Sequence, residues 1–200
     1  MALVNVTNVE VQNNPAKFTD AFSFQITFDC IAPGIKEELE WKLVYVGSAD
    51  SADFDQTLDT VLVGPVAVGR STFVFQAPAP DAKKIPKKDL MDVTIVLLTC
   101  HYKEKEFIRV GYYVNNFCDN EPFRKQNTDE EGKLTKTPPI DMISRNIAAD
   151  KPRVTRFDIP WDSVQQKIPM DDHSGMDVGV SQVNIEEQNS GNWGGEMETD

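Results

Sequence analysis

The 200-residue sequence holds few of the side chains that carry out catalysis or bind metal ions. It has only two histidines and three cysteines, and no Cys-x-x-Cys or His-x-x-x-His spacing that would place metal ligands together. It also has neither a Gly-rich phosphate-binding loop nor a Gly-x-Ser-x-Gly elbow. Cys100 and His101 are neighbours on a predicted strand, so their side chains point to opposite faces. The sequence therefore argues against an enzyme and predicts no metal and no cofactor.

Long apolar runs and a basic surplus are also missing. No stretch reaches the roughly 18 apolar residues of a membrane span, so no membrane contact is expected. The first residues lack the basic and apolar regions of a signal peptide, which favours an intracellular protein with free thiols. The formal charge of −12, from 32 acidic and 20 basic residues, argues against direct contact with nucleic acid, because phosphates attract clustered Lys and Arg.

The negative charge is concentrated at one end of the chain. Residues 162–200 hold nine acids and one base, a charge of −8, which leaves −4 for residues 1–161. This segment is rich in Ser, Asn, Gln and Gly and has no sustained hydrophobic period. Such a composition buries too little apolar area to offset the entropy of ordering the chain. We therefore predict a domain at 1–161 and a disordered acidic tail at 162–200.

Residues 1–161 have the alternation that is typical of β-strands. In residues 22–29, the apolar side chains of Phe22, Phe24, Ile26 and Phe28 alternate with polar ones. The valines at 4, 6, 9 and 11 predict an earlier strand with a bulge near Thr7 and Asn8. Further strands are predicted at 39–47, 57–66, 70–77, 92–102, 106–115 and 152–159. About eight short strands separated by Gly and Pro predict an all-β, antiparallel sandwich.

The remaining segments carry weaker patterns. Residues 140–149 predict one short helix, Lys36 to Leu39 predict a single helical turn, and 118–139 predict a long loop. Lys83 to Lys88 form a basic cluster, which we interpret as a solvated loop, with an import signal or a basic patch as the alternative. The order of Cys30, Trp41 and Cys100 is that of immunoglobulin domains, which supports a sandwich, and the compartment favours packed thiols over a disulfide.

Two neighbouring strands carry a candidate binding patch. The first strand has apolar residues on both faces, with Val93, Ile95 and Leu97 on one and Val96, Leu98 and Cys100 on the other. In the second, Phe107, Arg109, Gly111 and Tyr113 share a face. A hairpin around residues 103–105 would join Ile95, Leu97, Arg109 and Tyr113 in a surface with the composition of an interface hot spot. Nearby Asp50, Asp55 and Asp89 would suit a basic partner. The alternative, a second core layer under the 118–139 loop, stays open.

Several motifs resemble, in order, those of the anti-silencing-function histone chaperones. They are Glu40 to Lys42, Tyr45 to Ala49, Val61 to Val66, Phe73 to Ala77, Glu106 to Asn116, Arg145 to Ile147 and Pro152 to Phe157. The most specific is the run Arg-Val-Gly-Tyr-Tyr-Val-Asn-Asn at 109–116. The resemblance implies an elongated immunoglobulin-like sandwich with an acidic tail, and a nuclear, non-enzymatic chaperone that is monomeric when free. It also implies binding of the histone-three–histone-four heterodimer, a block of its tetramerisation, and transfer to chromatin assembly factors in nucleosome assembly and disassembly.

The resemblance also assigns site residues. Those for histone three are Val46, Ala49, Asp50, Asp55, Asp89, Val93, Ile95, Leu97, Arg109 and Tyr113. Those that would pair with the tail of histone four, as an added strand, are Arg153, Val154 and Thr155. Those for B-domain motifs of replication-independent and replication-coupled assembly factors are Glu37, Glu38, Leu62 and Phe73. The tail serines implied as targets of tousled-like kinases are Ser163, Ser174, Ser181 and Ser190.

Composition without the resemblance supports a different interpretation. An acidic intracellular sandwich would then be a generic adaptor that binds peptide motifs and has no histone client. Selective binding of core histones over another basic protein would separate the two interpretations.

Overall fold

The alternating residues of the sequence form strands whose apolar side chains meet between two antiparallel sheets. The computed structural model describes residues 1–162. The strands are β1 (Val4–Val11), β2 (Ala16–Lys17), β3 (Phe22–Cys30), β4 (Leu39–Tyr45), β5 (Gln56–Val63), β6 (Gly69–Ala77), β7 (Val93–Tyr102), β8 (Lys105–Cys118), β9 (Ile143–Ile147) and β10 (Arg153–Arg156). A single α-helix, α1 (Glu121–Gln126), and 3-10 turns at Ala52–Phe54, Ala82–Lys84 and Ile140–Met142 complete this part of the chain.

One sheet has the order β1-β3-β6 and the other the order β2-β9-β8-β7-β4-β5, while β10 pairs with β8. Every strand pair is antiparallel, which confirms the all-β sandwich expected from the sequence. The bulge expected near Thr7 is also confirmed, because Val6 pairs with Phe28 whereas Asn8 pairs with Thr27. Within residues 1–162, no helix has the length and apolar character needed to cross a membrane.

The core lies between the predicted faces of the strands. The side chains of Phe22, Phe24, Ile26 and Phe28 are fully buried, and the Trp41 ring lies 6.2 Å from that of Phe28. The inner face of β7, formed by Val96, Leu98 and Cys100, is equally buried. All three cysteines are free and buried, and burial raises the pKa of the Cys100 thiol well above its usual value.

Two helical predictions are wrong. Residues 143–147 form strand β9, which pairs with β8, instead of the helix expected at 140–149. A helical spacing relates Ile140, Ile143 and Ile147. The segment is short, and hydrogen bonding to the free edge of β8 makes it a strand instead of a helix. Lys36 to Leu39 form no helical turn, because Ile35 already bridges to Val66 and Leu39 begins β4.

The 118–139 segment is more structured than a plain loop. It contains α1, whose first turn is capped by Asn120, with the Asn120 Oδ1 accepting a hydrogen bond from the Phe123 N–H at 2.8 Å. Except for Asp162, the predicted acidic tail at 162–200 lies outside the described residues, and so do its four serines.

A buried arginine ties β9 to the loop between β2 and β3. The guanidinium of Arg145, a residue only 2 % exposed, donates to the carbonyl oxygens of Lys17, Phe18, Asp20 and Ala21 at 2.7–3.1 Å. It also lies 3.8 Å from the centre of the Phe22 ring. Burial lowers the pKa of Arg145 to about 10. The neutral carbonyls solvate a charge that has no carboxylate partner within the described residues.

Candidate functional site

The hairpin of β7 and β8 assembles the candidate binding patch. Lys103 and Glu104 form its two-residue turn with φ angles of 50° and 64°, the left-handed backbone that tight hairpins require. Ile95 pairs with Tyr113, and Leu97 pairs with Gly111. These residues and Arg109 surround a shallow cavity of about 120 Å³. The structure therefore brings Ile95, Leu97, Arg109 and Tyr113 together, as the hairpin prediction required.

The patch is a surface within the described part of the chain. Val93 is 55 % exposed and Tyr113 is 44 % exposed, while Ile95 and Leu97 are half-buried. The 118–139 segment lies beside Lys87 and Asn116, away from Ile95 and Leu97. Of the two interpretations that the sequence left open, the exposed patch is the one the structure supports.

Gly111 lets the elements of the patch approach closely. A Cβ atom on Gly111 would lie 3.2 Å from the Leu97 Cδ2 and 3.8 Å from the Cβ of Arg153. The absence of a side chain allows Leu97 to lie flat over β8 and β10 to lie beside it. This role of Gly111 was not predicted, although a glycine inside a strand is a recognised sign of such a close approach.

Arg109 is held in place by two neighbours that sequence analysis did not select. Its Nε and Nη2 donate to the Glu106 carboxylate at 2.7 and 2.8 Å, and its guanidinium lies 5.7 Å from the Phe157 ring centre. The hydrogen bonds to Glu106 raise the pKa of Arg109. Phe107 does not share the face of Arg109, so that prediction is wrong. The Phe107 ring is buried and lies 5.0 Å from the Trp161 ring.

The loop after β4 carries part of the acidic rim. The Val46 N–H donates to the Ile95 carbonyl at 3.0 Å, so the first residue of the loop lies directly beside β7. The loop then turns tightly, because a Cβ atom on Gly47 would lie only 2.1 Å from the Phe54 carbonyl oxygen. Desolvation raises the pKa of the Asp55 carboxyl, and the nearby backbone N–H of Gly47 acts on it in the opposite direction.

Two further acids lie beside the lysine cluster. Ala49 and Asp50 are exposed, and the Asp50 carboxylate pairs with Lys88, which lowers its pKa. The Oδ2 atom of Asp89 is buried and has no hydrogen-bond partner among the described residues. The chain's own Lys88 therefore compensates one of the acids expected to meet a basic partner.

Strand β10 is shorter than the predicted 152–159 and lies at the edge of the larger sheet. Arg153 pairs with Gly111 and Thr155 pairs with Arg109, and all four residues of β10 are exposed. Arg153 and Thr155 line the cavity next to Ile95 and Leu97. Within the described residues β8 is the only strand paired with β10, so its outer backbone edge is open.

The residues of the second candidate surface lie at the other edge of the fold. Glu37 and Glu38 are exposed just before β4, and a Cβ atom on Gly64 would lie 2.8 Å from the Glu38 Cα. Leu62, 56 % exposed, pairs with Glu40 in the adjoining ladder. Phe73 is half-buried.

The Phe73 ring packs against core aromatics, at 5.6 Å from the Trp41 ring and 6.3 Å from the Phe28 ring. Trp41 pairs with Val61, the neighbour of Leu62. Because the Phe73 ring packs on Trp41, Phe73 lies close to Leu62 and also contributes to the core. Among residues 1–162, no group of three His, Cys, Asp or Glu side chains is placed to hold a metal ion.

Comparison with known proteins gives a consistent result. A family model described as ASF1 like histone chaperone matches residues 1–162. The Histone chaperone ASF1 of Candida albicans is 55 % identical over 163 residues, which are 82 % of this chain and 63 % of that protein. The Drosophila melanogaster Histone chaperone asf1 is 54 % identical over 162 residues, 81 % of this chain and 71 % of that protein. The Saccharomyces cerevisiae Histone chaperone ASF1 is 52 % identical over 163 residues, 82 % of this chain and 56 % of that protein.

The matched segment spans about 51 % to 63 % of the length of the fungal relatives.

Proposed function

This chain belongs to the ASF1-like histone chaperone family, and on that premise we propose that it binds the heterodimer of histones three and four. The family is non-enzymatic and acts on chromatin in nucleosome assembly. In this proposal the chain works in the nucleus, covers the surface through which two heterodimers would pair, and passes the heterodimer to chromatin assembly factors. The tail would be a target of a tousled-like kinase.

The observation that carries the proposal is the exposed apolar patch on the β7–β8 hairpin. Ile95 and Leu97 form its centre, and Tyr113 and Arg109 flank them. Apolar anchors with Tyr and Arg at their edge are the composition of interface hot spots. In this proposal, an apolar helix face of histone three covers Ile95 and Leu97, and Arg109 with the acids of the rim pairs with polar groups around it.

The open edge of β10 supports binding of the histone-four tail. An extended peptide can add to such an edge, with backbone hydrogen bonds supplying affinity and alternate side chains supplying specificity. Arg153 and Thr155 face the same cavity as Ile95. One ligand bound to the patch and another bound to β10 would therefore contact each other, as the two chains of a histone heterodimer do in our proposal.

The second surface would serve the transfer step. Glu37 and Glu38 offer exposed carboxylates, and Leu62 offers an exposed apolar side chain at the same corner. This combination suits a B-domain segment with basic and apolar side chains. Because this corner and the patch use different elements, an assembly factor and a heterodimer could be held together.

The decisive experiment is the substitution Ile95→Arg. An arginine at the centre of the patch would be buried without a partner on binding, which costs about 3–5 kcal/mol. We expect affinity for the purified heterodimer, measured by calorimetry, to fall at least about 100-fold. The matched control is Val68→Arg, since Val68 is 57 % exposed and lies in neither candidate surface. The control should bind like the unmodified protein.

Two outcomes would contradict the proposal. Equal affinity of both variants for the heterodimer would remove the patch from the binding site. Equal affinity of the unmodified protein for core histones and for another basic protein at moderate salt would favour the generic acidic adaptor. Circular dichroism of the variants checks that each keeps its fold.

A further inference from the structure

Two segments that neither candidate surface uses meet in one groove. The end of the lysine cluster, at Lys87 and Lys88, lies opposite the 118–139 segment across the last residues of β8. The groove between them has a volume of about 1020 Å³. Both segments were predicted to be loops, and their juxtaposition could not be read from the sequence, because about 30 residues separate them.

The groove is basic although the protein is acidic. Six cationic side chains line it, against the two carboxylates of Asp92 and Glu121, and they are Lys87, Lys88, Arg124, Lys125, Lys133 and Lys136. Two of the six are paired, Lys88 with Asp50 and Lys125 with Glu121. The other four form no ion pair within residues 1–162. Four uncompensated cations in one concave surface favour an anionic ligand.

The cations are carried on an ordered frame. The Asp129 carboxylate accepts hydrogen bonds from the N–H groups of Glu131 and Lys133 at 3.1 and 2.8 Å, which shapes a turn closed at Gly132. A bridge between Thr128 and Leu134 joins the two sides of that turn. The backbone of Lys133 is thereby held in the lining of the groove.

The groove also has apolar lining. Met91, Phe117 and Leu134 contribute half-buried side chains to its wall. A ligand that only supplied phosphates would leave these three side chains without a partner. A single-stranded nucleic acid needs several aromatic side chains on which to stack its bases, and Phe117 is the only aromatic residue among those that line the groove.

We propose that this groove binds an extended acidic peptide segment of a partner protein, whose carboxylates pair with the lysines and whose apolar side chains contact Met91, Phe117 and Leu134. The ligand is opposite in charge to a histone, so the groove adds a partner to the proposed function and does not depend on it. The Lys88–Asp50 pair joins the groove to the acidic rim of the histone patch. An acidic segment in the groove would compete with Asp50 for Lys88 and free that carboxylate.

The test uses the full-length protein and a fluorescein-labelled peptide probe of sequence (Asp-Val-Glu-Leu) repeated three times. The groove variant combines Lys133→Glu and Lys136→Glu. The matched control combines Lys83→Glu and Lys84→Glu. Both are exposed lysines of the cluster at Lys83 to Lys88, and neither lines the groove. Both variants change the net charge by the same amount, so a difference between them reports position and not bulk charge. Thermal unfolding checks that both keep the stability of the unmodified protein.

We expect fluorescence anisotropy to show binding of the probe to the unmodified protein, a loss of at least tenfold in the groove variant, and less than twofold in the control. A probe with lysine at the acidic positions should not bind. Equal weakening in both variants, or no binding to the unmodified protein, would overturn the proposal.

Two further measurements test for other occupants of the groove. A positive result in either one would overturn the proposal that a partner's acidic peptide binds there. Tighter binding of a 12-base-pair DNA duplex than of the peptide, lost in the groove variant, would assign the groove to nucleic acid. The second measurement uses a full-length variant in which the eight acids of residues 163–200 are changed to amides. If it binds the probe more than tenfold more tightly than the unmodified protein, and adding Lys133→Glu and Lys136→Glu removes this gain while adding Lys83→Glu and Lys84→Glu does not, the chain's own acids occupy the groove.

Discussion

Glu106 and Arg109 lie on the same face of β8 although they are three positions apart, and the Glu106 carboxylate accepts two hydrogen bonds from the Arg109 guanidinium. In a regular strand, residues three apart point to opposite faces. A β-bulge in β8 explains the exception, because Cys100 pairs with Ile108 and His101 with Glu106, which leaves Phe107 as the extra residue. One inserted residue thus turns Phe107 into the core and places a carboxylate next to the arginine of the candidate site.

We expect Glu106→Gln to weaken binding of the histone heterodimer about three- to tenfold while the fold is unchanged. The amide keeps the length of the side chain but loses the charge that orients Arg109, a loss on the order of 1 kcal/mol for an exposed pair. Calorimetry with the purified heterodimer measures the change. The control is Glu104→Gln in the hairpin turn, since Glu104 forms no ion pair in residues 1–162. Equal effects of the two substitutions would mean that Glu106 does not act through Arg109.

We expect Gly47→Ala to destabilise the protein by about 1–3 kcal/mol, because the new methyl group would meet the Phe54 carbonyl oxygen and the backbone must move. The movement would displace Phe54 and with it the adjacent Asp55, so binding of the heterodimer should fall as well. Urea unfolding measures the stability. Ala52→Ser, an equal addition at an exposed residue of the same loop, should change it by less than about 0.5 kcal/mol. An unchanged midpoint for Gly47→Ala would show that the loop adapts without cost.

The sequence predicts those parts of the fold in which one strand face is apolar and the other polar. Residues 22–29 follow from their alternation, and the hairpin turn near Lys103 follows from the short gap between two strand patterns; both are confirmed. The bulge at Phe107 escapes prediction because Phe107 and Ile108 are both apolar, so a shift of one residue leaves no trace in the pattern. A similar ambiguity explains the helix predicted at 140–149, because the isoleucine spacing there fits both a helix and the strand β9 that forms.

Interactions between distant segments are the other part that the sequence does not reveal. Arg145 is buried with backbone carbonyls of residues 17–21 as its partners. Every residue has a backbone carbonyl, so the sequence does not show which ones will meet an arginine. In the candidate site, the pairing of Lys88 with Asp50 likewise depends on how two loops meet. The motifs identified Arg109 and Asp50, but not the residues that orient or neutralise them.

We expect Asp119→Asn to lower the free energy of unfolding by about 1 kcal/mol at pH 7 and by less at pH 3. Hydrogen bonds from Lys17 and Ser144 lower the pKa of the Asp119 carboxyl below its usual value. A carboxyl whose pKa is lower in the folded state stabilises the protein above its unfolded-state pKa of about 4, and this stabilisation is lost as the pH falls through the folded-state value.

Urea unfolding at pH 7, 5 and 3 tests the Asp119 prediction. Asp141→Asn is the control, since the Asp141 side chain takes part in no ion pair among the described residues and should behave like the unmodified protein throughout. A constant difference between Asp119→Asn and the unmodified protein at all three values would show that the carboxylate charge is irrelevant.

Removal of residues 163–200 should slow capture of the heterodimer more than it weakens the complex. These residues carry eight acids and one lysine, most of the formal charge of −12. Charge outside the contact surface accelerates encounter with a basic partner, whereas buried contacts set the dissociation rate. The cut belongs after Asp162, because Asp162 accepts hydrogen bonds from Tyr102 and Lys103 and the Trp161 ring packs 5.4 Å from that of Tyr102.

In stopped-flow measurements at low salt we expect the association rate of the shortened chain to fall several-fold, with a dissociation rate within twofold of the full chain. The difference in association should vanish at about 0.5 M salt, where the screening length is only a few ångströms. The full-length variant with amides in place of the eight acids separates charge from length and should behave like the shortened chain. If either variant releases the heterodimer tenfold faster, the tail contributes contacts that persist in the complex. The apolar patch around Ile95 would then not account for the affinity alone.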